Sequence, residues 1–183
     1  ELLSCNPLSV YGATKLAGER SVISTLRNSG VSVLIARLSN VFGSLHLVAG
    51  ARESESVICQ FARLAKATGE IRIASQINLS RDFHSVRAFA HQLQHFIQHQ
   101  FSTKTPVEIV NFASGRSRNL FSVASDLADA ARKMKGIKWP IESSFDTTVR
   151  VVGSRIDTSR ISKIYPIDEQ WYFDEVYQLI KTI

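Results

Sequence analysis

The apolar pattern of the 183-residue chain predicts an α/β protein. Helical periodicity over residues 9–28 leads into the β-branched run Val31–Ala36. A second such run, Val107–Phe112, follows an amphipathic stretch at 85–100. Short, continuous apolar runs suit strands covered on both faces of a parallel sheet. Helices alternating with such strands make βαβ repeats.

Composition agrees with a soluble globular domain: 44% of residues are hydrophobic and the mean hydropathy is −0.01. No apolar run approaches the roughly 18 residues of a membrane span, and the N-terminus lacks a basic-then-apolar signal pattern. The two cysteines, Cys5 and Cys59, make neither a disulfide framework nor a metal-ligand spacing, so a reducing cytoplasm is the expected setting. Lys and Arg number 22 against 16 acidic residues, a net charge of +6. The basic residues are scattered. Their only tight group is Arg132, Lys133, Lys135 and Lys138, without interleaved aromatics, which suits a solvated helix end better than a nucleic-acid platform.

In chain order, the first helix at 9–28 has Val10, Ala13, Thr14, Ala17 and Val22 near one side and a stop at Asn28-Ser29-Gly30. Pro7 precedes it, as suits a helix's first turn. The helix places Tyr11 and Lys15 one turn apart on one face. A phenol, with an ordinary pKa of roughly 10, is a poor base near neutrality, and an adjacent ammonium favours the phenolate. After the strand comes the turn Arg37-Leu38-Ser39-Asn40-Val41-Phe42-Gly43, where open α/β sheets place ligands. A loop over 44–53, a helix at 55–68 with Val57, Ile58, Phe61, Leu64 and Ala65 inward, and a short strand at Ile71–Ala74 follow.

Ser80–Val86 leads into the helix at 85–100, with Phe89, Ala90, Leu93, Phe96 and Ile97 as its apolar face. That puts His91, His95 and His99, with His84 just before, on a polar side, and with no carboxylate or cysteine at ligand spacing no metal is expected. Val107–Phe112 and the turn Ala113-Ser114-Gly115 precede a helix at 119–133 with Leu120, Val123, Leu127, Ala128 and Ala131 inward. Residues 139–145 read as extended, a short helix begins near Thr158, and residues 168–183 form a last helix with Trp171, Phe173, Val176, Leu179 and Ile180 available for packing. No internal repeat or low-complexity tract occurs.

Four landmarks in order, Tyr11–Lys15, Arg37–Gly43, Arg81-Asp82-Phe83 and Asn111–Gly115, resemble the extended short-chain dehydrogenase/reductase family, the NAD-dependent epimerases and dehydratases of nucleotide sugars. The resemblance runs from about Asn6 to the C-terminus. It implies a partial Rossmann-like parallel sheet, with residues 1–42 and 84–114 in the dinucleotide-binding domain and 43–83 and 115–183 in a smaller α/β substrate-binding domain. It implies that Tyr11 transfers the hydroxyl proton and that Lys15 holds the nicotinamide ribose of NAD or NADP. It further implies that Asn40 contacts the sugar or phosphate of a nucleotide-diphosphate sugar, where a side chain capping the turn is the alternative. Arg81 would bind the diphosphate, for which a guanidinium fork is suited; an Arg81–Asp82 or Arg81–backbone contact is the alternative. A phosphate-binding arginine is implied at Arg150 or Arg155, which spacing does not separate, and a homodimer is a possible assembly.

The chain departs from the family pattern in three places. Ser44 stands where a proline usually follows the glycine, and Arg87-Ala88 where an acidic pair usually follows the valine. The glycine-rich strand-to-helix turn that cradles a dinucleotide occurs nowhere in the sequence. The expectation is therefore the C-terminal half of such an enzyme, inactive by itself; a non-catalytic binding or scaffold protein that lacks the cofactor half is the rival expectation.

Overall fold

The computed structural model describes residues 5–44, 56–74, 79–99, 101, 107–144, 152–153 and 155–183. Most of the loop expected over 44–53, and Arg150, lie outside these residues.

The elements run α1 (Val10–Leu26), β1 (Val33–Leu38), β2 (Asn40–Phe42), α2 (Val57–Thr68), β3 (Ile71–Ile73) and β4 (Leu79–Ser85), then α3 (Val86–His99), β5 (Val107–Phe112) and β6 (Ser117–Asn119). They continue with α4 (Leu120–Lys135), β7 (Ile141–Ser143), β8 (Val152–Gly153), α5 (Ser159–Ile164) and α6 (Gln170–Thr182). Side-chain oxygens cap three of these helices. Ser9 Oγ accepts the Gly12 N–H, Ser56 Oγ the Cys59 N–H and Asn119 Oδ1 the Ser122 N–H. Gly69 and Gly136 end α2 and α4 in the left-handed conformation that a Cβ disfavours.

Parallel pairing dominates. β1 lies along β5 from Val33↔Val107 to Leu38↔Phe112, β2 along β4 from Asn40↔Phe83 to Phe42↔Ser85, and β3 along β7. β6 pairs antiparallel to β4, opposing Arg118 to Arg81, and β8 adds a short parallel contact to β4. Two apolar clusters hold the layers. Phe42, Ile58, Phe61, Ile71, Ile73 and Phe83 belong to the larger one, with Leu127, Tyr172, Leu179 and Ile180 from α4 and α6. Phe96, Val110, Phe112 and Ile161 form the smaller, with Leu34, Phe89 and Leu93 against it.

Burial departs from the bare apolar pattern in three ways. First, β1 and β5 are not covered on both faces among the described residues. Burial along β5 alternates, its covered face meeting α3 and α5, while β1 is half-buried and Leu38 is exposed. Second, α1 buries no residue, and Val10 and Val22, which lie near one side of it, face solvent. Third, α3 is rotated from its expected setting. Its buried stripe is Ala88, Gln92 and Phe96, whereas Ala90 and Ile97 are exposed. A polar contact sets that rotation: Gln92 Oε1 lies 2.9 Å from His84 Nε2, and His84 is itself buried rather than on a polar side. Leu64, placed inward by periodicity, is also exposed. Strands β2, β6 and β8 have three, three and two residues and lack an apolar–polar–apolar alternation.

Candidate functional site

Along α1, residues Tyr11, Lys15 and Glu19 share one stripe at four-residue steps. Lys15 Nζ lies 5.2 Å from the centre of the Tyr11 ring, and both side chains are exposed. Below them Glu19 grips Arg37 with both oxygens: Arg37 Nε donates to Oε1 at 2.9 Å and Nη2 to Oε2 at 2.6 Å. That hydrogen-bonded carboxylate holds the Arg37 guanidinium further above its ordinary value. Since α1 buries no side chain, this fork is the principal polar tie of the Tyr-Lys helix to β1.

The other landmarks meet at a buried carboxylate. Asp82 Oδ1 accepts the Ser114 N–H at 2.9 Å, and Oδ2 accepts the Ser114 hydroxyl at 3.0 Å. The Asp82 carbonyl accepts Asn40 Nδ2 at 2.9 Å. Asn40 therefore spends its amide nitrogen on joining β2 to β4. On β4, Arg81 is exposed while Asp82 and the three residues after it are buried. The Arg81–Asp82 pair does not form, and Arg81 is exposed, with no hydrogen bond or ion pair to a described residue. Arg155 is also exposed, at the start of a segment laid across the end of β5. Asn111 Nδ2 donates to the Asp157 carbonyl at 2.9 Å. Gly115, at φ +72°, leaves no room for a Cβ, which would sit 2.7 Å from Thr158 Oγ1. The Ser159 backbone N–H, which Asp157 Oδ1 accepts at 2.9 Å, holds the Asp157 carboxyl below its usual range. No hydrogen bond among the described residues joins Tyr11 or Lys15 to Asn40, Arg81 or Arg155.

Sequence reasoning missed two further groups. Arg118 stacks over the Tyr172 ring at 4.0 Å and pairs with Asp126 and Glu169. Burial pushes the Asp126 carboxyl and the Tyr172 phenol up, and the phenol donates to Asp126 Oδ2 at 3.0 Å. This arginine is saturated by its own neighbours, and nothing in the sequence distinguishes it from Arg116 beside it. The second is Glu175 on α6, buried at 1% exposure. Its position shares the inward face of α6 with Tyr172 and Leu179, and only its charge argues against burial. Among the described residues no three His, Cys, Asp or Glu side chains cluster as metal ligands would.

Desolvation lowers the pKa of His84. The unfolded chain protonates this ring near its ordinary value of about 6.5 and the folded chain only at lower pH, so the unfolded state binds more protons in that window. Stability is thus expected to fall as pH drops below about 6.5, by up to ~1.4 kcal/mol per pH unit for one proton. Urea denaturation across that range checks it. His84→Gln should flatten the slope, and an unchanged slope would assign it to other groups.

With this geometry, the chain proves similar to known proteins in two ways. Residues 1–134 match the NAD dependent epimerase/dehydratase family. No curated protein matches the chain in sequence. Solved structures match in fold. A UDP-N-acetylglucosamine 4-epimerase from Methanobrevibacter ruminantium M1 superposes over 100% of this chain and 56% of its own, with TM-score 0.76 and 22% identity. RMD from Pseudomonas aeruginosa, solved with NADPH, matches over 100% and 58%, with TM-score 0.71 and 19% identity. A dTDP-glucose 4,6-dehydratase from Bacillus anthracis, solved with NAD, matches over 100% and 54%, with TM-score 0.72 and 13% identity. The chain spans a little over half the length of these neighbours, and its sheet is the corresponding part of a Rossmann-like α/β fold. With a family match over more than two thirds of its residues, the chain belongs to the NAD-dependent epimerase/dehydratase family.

Proposed function

We propose that the chain is the C-terminal part of a nucleotide-sugar epimerase, dehydratase or reductase whose proton-transfer pair is Tyr11 and Lys15. The observation that carries this reading is the solvent-facing phenol with an ammonium 5.2 Å from its ring, on a helix tied to β1 by the Glu19–Arg37 fork. Both heads are turned to solvent, as groups that meet a ligand must be.

The residues present fit one end of NAD or NADP. The Lys15 ammonium offers three donors to a ribose diol, and Tyr11 Oη can reach a hydroxyl beside it. No glycine-rich turn is present to cradle the pyrophosphate, so residues 1–183 supply the nicotinamide-ribose end and by themselves are inactive. When bound, the cofactor takes hydride from a sugar carbon or returns it. Tyr11 accepts the proton of the sugar hydroxyl in one direction and gives it back in the other. Lys15 keeps a positive charge beside the phenol, which favours its acting as the base. Arg81, outward and unengaged, is placed to bind the diphosphate; Asn40 presents its remaining oxygen to the sugar; Arg155 or Arg150 supplies a second phosphate contact. Residues 1–42 and 84–114 would belong to the dinucleotide domain and 43–83 and 115–183 to the substrate domain. The two apolar clusters follow that division in large part, although Phe42 in the larger one and Ile161 and Ile167 in the smaller one cross it.

The assignment is tested in the chain extended to the length of its family. Tyr11→Phe removes only the proton-transfer oxygen, so turnover is expected to fall roughly 10²–10⁴-fold with cofactor affinity nearly unchanged. Lys15→Ala should damage both. Wild-type turnover in Tyr11→Phe would refute the pair and favour a non-catalytic binding protein.

Arg81→Ala is expected to raise KM for a nucleotide sugar by the loss of about 1.5–3 kcal/mol, the worth of a charge-assisted bond. Arg81→Lys should recover part of that, since a point charge lacks the fork. An unchanged KM with a lowered melting temperature would make Arg81 a structural residue.

A further inference from the structure

Two departures from the family pattern, Ser44 for a proline and Arg87 for an acidic residue, are far apart in sequence yet converge on one side chain. The Ser44 N–H donates to Glu175 Oε1 at 2.9 Å, a bond that a proline at this position could not make. Arg87 Nε lies 3.3 Å from Glu175 Oε2, an attraction that an acidic residue would turn into repulsion. The Ser85 hydroxyl donates to the same oxygen at 3.4 Å. Gly43 permits the approach, because a Cβ there would sit 2.5 Å from Val86 Cγ1 and 3.4 Å from Glu175 Oε1.

Ser44 lies just past the end of β2, and Ser85 ends β4, opposite Phe42 in the parallel register. One carboxylate from α6 therefore grips the carboxyl ends of two neighbouring parallel strands and the first turn of α3. We propose that Glu175 is a positioning residue that clamps β2 to β4, the strands that carry Asn40 and Arg81, and so fixes these two groups relative to each other. A buried carboxylate needs such partners, since an unpaired one would be strongly destabilised. Here they are a backbone N–H, a hydroxyl and a guanidinium. Ser44 and Arg87 thus form one unit with Glu175, each engaging one of its two carboxylate oxygens. The proposal rests on the reading above that Asn40 and Arg81 meet a nucleotide sugar.

The test is a double-mutant cycle in the full-length protein, with UDP as the calorimetric probe and the melting temperature recorded alongside. Ser44→Pro, which deletes the N–H, and Glu175→Ala are each expected to weaken UDP binding about tenfold, and the double variant no more than either. Ser44→Ala keeps the N–H and should bind as the wild type does. Ser44→Pro binding UDP normally while melting lower would overturn the positioning role, as would losses that simply add. Should Glu175→Ala fail to fold, Ser44→Pro against Ser44→Ala decides alone. Wild-type protein that ignores UDP would contradict the proposed function instead. The clamp would then stand or fall on whether the two substitutions couple in melting temperature.

Discussion

The candidate site depends on one buried carboxylate. Asp82 is only 2% exposed and takes both donors of Ser114, while its own carbonyl takes the amide of Asn40. Three segments distant in sequence, β2, β4 and the turn after β5, are thereby fixed to one another at their ends. A carboxylate withdrawn from water is tolerated only with such donors, so sequence change at Ser114 or Asp82 is constrained by the other. Arg81, beside Asp82, is exposed and takes no part in this contact.

The Tyr-Lys helix is held on different terms. Apolar burial anchors α2, α4 and α6, each of which contributes several buried residues. Helix α1 contributes none and relies on the bidentate Glu19–Arg37 contact, whose members are about three-quarters or more withdrawn from solvent. A forked pair gives direction as well as attraction, and it keeps the Tyr11–Lys15 stripe at a defined rotation without covering it. Exposure of that stripe is the condition for ligand contact.

Much of this was legible in the residues alone. Long helices with good caps, such as α2 and α4, and the continuous runs of β1 and β5 emerge from periodicity and glycine stops. Three of the four landmark segments lie at or across helix and strand ends, while Arg81-Asp82-Phe83 sits in the middle of β4. What the sequence hid has physical reasons. The short strands β2, β6 and β8 lack the apolar–polar–apolar alternation that marked Ile71-Arg72-Ile73 of β3, so they were silent. The rotation of α3 was set by the buried pair Gln92 and His84, and a hydrophobic stripe cannot announce a polar contact. Glu175 drew no reading from the sequence, because its partners come from residues more than 80 positions away. On α1, periodicity reports an apolar side but not what covers it.

Amide hydrogen exchange at Ser114 measures the Asp82 contact directly. A loop amide open to water exchanges fast, whereas one bonded inside a buried unit exchanges only when that unit opens. In the wild-type protein the Ser114 amide should be protected to about the level of the β5 amides that precede it. Asp82→Ala should abolish that protection while leaving the β5 amides slow. A Ser114 amide that exchanges like a solvent-exposed turn in the wild type would contradict the account.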